Sequence, residues 1–326
     1  MKQVQLGIAG LGWWGQRLVR SVQGKSDSVR FLAAAVADVT KRADVAAELG
    51  LELTASLESL LRDPRLDGVV IATPHSLHPE QVELAAAAGK HVFCEKPLAL
   101  TARDAERAIA ACARYGVTLA VGHNRRFARN IAALFDTVRS ESLGKLLHIE
   151  GQWSNENTTR ADFAAWRSSP LESPGAAMTG TGIHALDIMT ALFGKADVVR
   201  VHQRTHSAAG VPVRDALSVL LEFGGGVSGL LATIRPTARF WRIHVFGLEG
   251  SVEARGDTEL RVYRRDAPPT VTHFGESDTL RTELEMFAAS CRGLAASPVT
   301  ADQLVNCAAA LQDIVSRMNM GEIRHG

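Results

Sequence analysis

The chain has 326 residues, 46% of them hydrophobic and 22% charged, with a formal net charge of +1. That length exceeds what one hydrophobic core usually supports, so two domains are expected. The near-zero charge, with Lys and Arg spread along the chain and few aromatic residues, excludes a basic stacking surface for nucleic acid, and no apolar run approaches the roughly eighteen residues that a membrane span needs.

Met1-Lys2-Gln3 runs into the first strand without a signal-peptide pattern, so a cytoplasmic protein acting on small molecules is expected. Val4, Leu6 and Ile8 read as a buried strand, and a helical stretch from Trp14 to Val22 follows Gly10-Leu11-Gly12-Trp13-Trp14-Gly15 directly. In that context Gly10 would make a tight turn and Gly12 would let the backbone approach a pyrophosphate. Gly15 would let helix and strand pack closely, with the phosphates at the helix N-terminus. A second strand, Phe31 to Ala37, ends at Asp38, about where such folds place a carboxylate for the adenosine ribose. Asp38 would repel a 2′-phosphate and so favours NAD, softened by nearby Lys41 and Arg42, which leaves NADP open. A competing reading has Asp38 capping the next helix.

The alternation continues through the stretch Arg42 to Leu49, a strand Gly68 to Ala72, a helix Pro79 to Ala88 and a strand His91 to Cys94. A helix Ala102 to Tyr115, begun by Thr101 with Asp104, and a strand Val117 to Val121 complete it. This predicts an α/β fold, a doubly wound parallel sheet over residues 1–123 with helices on both faces. Beyond 123 the period changes to two, in Leu217, Val219, Leu221 and Phe223 and in Trp241, Ile243 and Val245. Residues 124–326 are therefore expected to form an α+β domain with a mostly antiparallel sheet, turning at Gly224-Gly225-Gly226. Leu146 to Gly151 reads as a further strand, and two helices, Thr279 to Cys291 and one begun at Thr300 and Gln303, close the chain. Cys94, Cys112, Cys291 and Cys307 lack CxxC spacing and read as small buried side chains.

Several strings together resemble the glucose-fructose oxidoreductase and inositol dehydrogenase family, Gfo/Idh/MocA. They are the glycine turn, Ala72-Thr73-Pro74-His75 with His78, Gly89-Lys90-His91-Val92-Phe93-Cys94-Glu95-Lys96-Pro97-Leu98, Gly122-His123-Asn124-Arg125-Arg126-Phe127, Trp166-Arg167 and Gly182-Ile183-His184-Ala185-Leu186-Asp187. The resemblance spans essentially the whole chain. It implies an N-terminal Rossmann domain, a C-terminal domain whose open sheet often forms a dimer or tetramer interface, and NAD(P)-dependent oxidation of a secondary alcohol on a sugar, polyol or cyclic diol. It implies that Lys96 touches the reacting hydroxyl and that His184 accepts its proton. The sequence departs from the family's pattern in one place, with Gly180 where an Asp commonly stands four residues before the histidine, and with Gly175-Ala176-Ala177 altered upstream.

Alcohol oxidation needs a base at the hydroxyl and a positive charge beside the developing alkoxide. His184 is the candidate base, helped by Asp187, and Lys96 the candidate cation. Gly10, Gly12, Trp13, Trp14, Gly15, Asp38, Thr73, Pro74, His75, His78, Glu95, Lys96 and Asn124 are the expected cofactor contacts. Arg125 and Arg126, at the carboxyl edge of the sheet, are candidate clamps for a carboxylate or hydroxyls, with interdomain salt bridges as the alternative. Trp153, Asn155, Asn157 and Arg160 are candidates for either the substrate cleft or a subunit contact, and Arg167 is a further candidate for the substrate cleft. His75 with His78 and His202 with His206 have tolerable metal spacings, but no Cys or carboxylate cluster completes a site, so no metal is expected. A non-catalytic dinucleotide-binding regulator on the same fold is the alternative function, and Gly180 is the residue that lends it weight.

Overall fold

The computed structural model describes residues 3–155, 169–175, 177–205, 216–235 and 237–320. The chain divides into two compact units, Met1–Asn124 with Asp278–Ala301, and Arg125–Ser277 with Asp302–Gly326.

The first unit runs β1 (Val4–Ala9), α1 (Trp13–Val22), β2 (Val29–Ala35), α2 (Ala43–Leu49), β3 (Glu52–Thr54), α3 (Leu57–Leu61), β4 (Gly68–Ile71), α4 (His78–Ala87), β5 (His91–Cys94), α5 (Ala102–Tyr115) and β6 (Leu119–Val121). Its six strands are all parallel in the order β3-β2-β1-β4-β5-β6, the doubly wound order whose direction reverses between β1 and β4. Strands covered on both faces need unbroken apolar runs, and Val69, Val70 and Ile71 of β4 are fully buried. Helix α5 buries Ala105, Ala108 and Cys112 along one stripe. Thr101 caps it by accepting the Asp104 N–H at 3.1 Å, and Gly116 ends it at φ 65°.

The second unit contains α6 (Arg129–Arg139), β7 (Leu146–Ser154), α7 (Ile183–Phe193), β8 (Ala196–Arg204), β9 (Ala216–Phe223), β10 (Val227–Ile234), β11 (Phe240–Gly247), β12 (Gly250–Arg255), β13 (Glu259–Arg264) and β14 (Ala267–His273). These strands form one sheet, β14-β13-β12-β11-β7-β10-β9-β8, antiparallel except where β7 pairs with β10. The period-two residues of β9 and β11 point into the core as the alternation predicts. At Gly151 of β7 an added Cβ would lie 3.2 Å from the Ala185 Cβ, so glycine lets α7 lie close on the sheet. The β9–β10 turn uses Gly225 and Gly226 at φ 75° and 79°.

Two more helices follow, α8 (Thr279–Cys291) and α9 (Ala301–Met320). The first of them belongs to the first unit. Leu280, Leu284, Phe287 and Ala288 of α8 are buried with Leu6, Ile8, Leu18, Phe31 and Phe93 of the first unit, and Phe287 meets Phe93 edge to face at 5.7 Å and 65°. Helical periodicity marks an apolar stripe but not which core receives it. Strand β2 also stops at Ala35 rather than at 37, because the chain bends before Asp38. The short elements β3 and α3 were not foreseen, being too brief to display a period. Helix α6 was missed although Ile131, Leu134 and Phe135 have helical spacing. Among the described residues no helix is long and apolar enough to cross a membrane.

Candidate active site

In the first unit the candidate site is made largely by backbone at the carboxyl edge of the parallel sheet. Gly10 leaves β1 at φ 94°, and a Cβ on it would lie 2.6 Å from the Ala72 carbonyl oxygen at the end of β4. A Cβ on Gly15 would strike the Gly10 carbonyl oxygen, whereas one on Gly12 would meet nothing within 4 Å. No side chain caps the N-terminus of α1 at Gly12. The turn therefore offers an open, uncapped helix start beside two strand ends, a cradle suited to a pyrophosphate.

The loops after β4, β5 and β6 adjoin it. After β4, the Thr73 hydroxyl donates to Gln81 at 2.6 Å, and His78 is fully buried with Nδ1 2.7 Å from the Pro97 carbonyl and Nε2 3.0 Å from the Thr73 carbonyl. That ring ties the loops after β4 and β5 together, and its two nitrogens face carbonyls rather than a site shared with His75, whose ring lies 5.7 Å away edge to face. After β5, the Glu95 carboxylate accepts the Lys96 N–H at 3.2 Å and packs on Gly122, where a Cβ would lie 2.8 Å from Oε1. After β6, Asn124 donates to the Thr279 hydroxyl at 3.1 Å.

Asp38 accepts the Lys41 N–H at 3.1 Å and pairs with its ammonium at 3.2 Å. The backbone hydrogen bond from Lys41, followed by the one from its side chain, holds the Asp38 carboxyl below its ordinary range. Trp13 is 47% exposed and tilted against Trp14 at 5.6 Å. The Arg17 guanidinium lies 4.8 Å over one indole and 5.2 Å over the other. Arg17 was not singled out from the sequence, though its position one turn after Trp13 is the signal that finds it.

In the second unit the candidate residues are set by side-chain contacts. His184 opens α7 and lies 5.2 Å from Trp153 of β7, which stacks on Trp241 of β11 at 4.9 Å and 5°. The cross-strand register pairs those two indoles directly. Asn155 follows β7, its N–H donating to the Ile234 carbonyl at 3.0 Å.

Arg126 and Asp187 meet one another. Arg126 gives Nε and Nη2 to the Asp187 carboxylate at 2.7 and 2.6 Å and Nη1 to Gln303 at 2.7 Å, and both charged side chains are 6% exposed or less. Burial works against the charged guanidinium, but the Asp187 carboxylate outweighs it and raises the Arg126 pKa. The expected substrate clamp is thus committed to a fork-to-fork ion pair. Arg125 gives Nη1 to Asp257 at 2.6 Å and lies 5.4 Å over Trp153. Both pairs fall inside the second unit. Sequence reasoning missed them because the partners lie 61 and 132 residues away.

Gly180 lies in a π-helical segment, Met178–Gly182, leading into α7. A Cβ there would strike Nη2 of Arg235, whose side chain is 2% exposed. A side chain at 180 would therefore have to displace a buried guanidinium. Asn157, Arg160, Trp166, Arg167 and His206 lie outside the described residues.

The model of the oxidoreductase family with an NAD-binding Rossmann fold, GFO_IDH_MocA, matches residues 4–123, and that of the GFO/IDH/MocA C-terminal domain matches 131–253. The chain belongs to the Gfo/Idh/MocA family. Its α/β fold and its nicotinamide dinucleotide cofactor are those of this family, and the glycine cradle fits such a cofactor. Among Gfo/Idh/MocA relatives, the rhizopine catabolism protein MocA of Rhizobium meliloti is 31% identical over 97% of this chain and 96% of its own length. The myo-inositol 2-dehydrogenase of Thermotoga maritima is 29% identical over 81% and 78%. A levoglucosan dehydrogenase solved with NADH and L-sorbose shares the fold, with a TM-score of 0.86, 22% identity and 98% coverage of both chains.

Proposed function

We propose that this protein transfers hydride between a nicotinamide cofactor and a secondary alcohol of a sugar, polyol or cyclic diol. The observation that carries the reading is the convergence of the uncapped glycine turn, the Thr73-Pro74 loop and the Glu95-Lys96-Pro97 loop at one edge of the sheet. Lysine at that edge serves hydride chemistry, since its ammonium lowers the energy of an alkoxide as the hydroxyl proton leaves. The bound nicotinamide ring supplies the hydride acceptor or donor.

His184 is assigned as the base that receives the hydroxyl proton, and Lys96 as the group that polarises the oxygen and orients it. Trp153 fixes the imidazole plane by ring contact. Asp187 is assigned to Arg126 rather than to the imidazole: the buried pair pins α7, which carries His184, to the chain following Asn124. The names of the relatives, an inositol dehydrogenase and a levoglucosan dehydrogenase among them, favour a polyhydroxylated ring as substrate. The regulator alternative rested on Gly180, and that position is packed against Arg235 rather than left vacant.

The test is absorbance at the NADH band with NAD and a panel of sugars, inositols, sugar acids and cyclic diols. Turnover is expected with at least one, falling by about a hundred- to ten-thousand-fold in Lys96→Met and His184→Ala with NADH binding intact. Clear NADH binding with no hydride transfer across the panel would reject the proposal.

A further inference from the structure

A cleft of about 540 Å³ opens in the second unit where four strands end together. Phe240 begins β11, Arg255 ends β12 and Glu259 begins β13 at this edge. Trp153 closes on the same edge, because β7 pairs antiparallel with β11 and places its indole against Trp241. The cleft is thus two ring layers from His184 within one unit.

Charge in the cleft is unbalanced. Asp257 is shared by two guanidinium groups, Arg125 at 2.6 Å and Arg239 in a short ion pair, and also accepts the Trp241 Nε1–H at 3.2 Å. Glu259 is taken by Arg261 at 2.7 Å. Arg255 has no carboxylate within ion-pair distance among the described residues, and its guanidinium lies 5.4 Å over the Phe240 ring. Three guanidinium groups line the cleft against two carboxylates, leaving a surplus of one positive charge beside an aromatic wall. The hydrogen bond from Arg261 holds the Glu259 carboxyl below its ordinary range, and His273 and Arg255 add to the effect.

Surface ion pairs return little stability, and gathering like charges costs some of it. Such a cluster is favourable when an anion completes it, and guanidinium forks match the oxygens of phosphoryl and carboxylate groups. The volume is that of a small-molecule pocket, and the aromatic side chains suit the apolar face of a ring.

We infer that this cleft receives an acidic substituent, phosphoryl or carboxylate, of the carbohydrate substrate, with Arg239 and Arg255 as its anion contacts. The inference rests on the oxidoreductase reading for the word substrate, but its test does not depend on turnover. The full chain, saturated with NADH, is titrated calorimetrically with inorganic phosphate, D-glucose, D-glucuronate and D-glucose 6-phosphate. Phosphate and at least one acidic sugar are expected to bind, the acidic sugar about tenfold or more tighter than glucose, and which of the two binds identifies the substituent. Arg255→Met should weaken both interactions about tenfold, and Arg255→Lys should recover part of the loss. NADH binding by each variant serves as the control for folding. Undetectable phosphate binding, binding unchanged in Arg255→Met, phosphate binding without either acidic sugar, or glucose binding as tightly as its acidic partners would each overturn the inference. Failure of hydride transfer across the substrate panel, with Arg255-dependent binding retained, would instead count against the oxidoreductase reading.

Discussion

The two units build their functional surfaces from different materials. In the first, geometry comes from backbone: at Gly10 and Gly15 no Cβ fits beside the neighbouring carbonyls, and Gly122 gives its space to Glu95. In the second it comes from side chains: the Arg126–Asp187 fork, the Trp153–Trp241 stack and Arg235 lying on Gly180. A site made of backbone tolerates no added atom but demands few residue types. One made of side chains needs every partner present at once, because a buried charge left alone is costly.

Breaking that contrast should cost most in the second unit. Asp187→Asn removes one charge of a buried, bidentate pair and leaves Arg126 uncompensated, so urea unfolding should register a loss of about 3–5 kcal/mol. Unchanged stability with a collapse of turnover would instead return Asp187 to the role of helper to His184. In the first unit, Gly15→Ala drives a methyl onto the Gly10 carbonyl; a loss of about 1–3 kcal/mol is expected, with weaker NADH binding by fluorescence titration. Normal stability and normal NADH affinity in that variant would show that the turn can relax, and the backbone account would be wrong.

Smaller effects sharpen the comparison. Asp38→Asn removes the charge that opposes a 2′-phosphate, so the ratio of NADH to NADPH affinity should fall by about tenfold. If Lys41 already neutralises that carboxylate, the ratio will not move. The smallest effect concerns pH, for which each unit holds a histidine. Burial pushes the imidazoles of His91 in the first unit and His244 in the second below their ordinary value of 6.5. Below that pH the unfolded chain binds protons that the folded histidines decline. Their contribution is therefore fully present above pH 6.5 and is lost as pH falls toward the folded values. His91→Gln and His244→Gln should each flatten the fall in urea midpoint between pH 6.5 and 5; a slope unchanged in both would assign it to other groups.

Much of the first unit was legible because its constraints are local. Helix α5 begins and ends where Thr101 and Gly116 put it, and the glycine turn falls between a strand and a helix because only glycine meets its three demands. The membership of α8 was not legible, since an apolar stripe carries no address. Nor were the partners of Arg125 and Arg126, which the chain brings back from 132 and 61 residues away. The arginine-rich cleft was invisible for the same reason: Arg239, Arg255 and Arg261 look like scattered surface charges until antiparallel pairing brings the strand ends together.

The amino-acid sequence alone determined a parallel, glycine-turned first sheet and a period-two second one, because hydrophobic period and backbone freedom are properties of neighbouring residues. Tertiary structure alone decided which charges cancel and which are left over. Electrostatic balance depends on distance in space, and a chain that folds back across more than a hundred residues does not write that distance into its order.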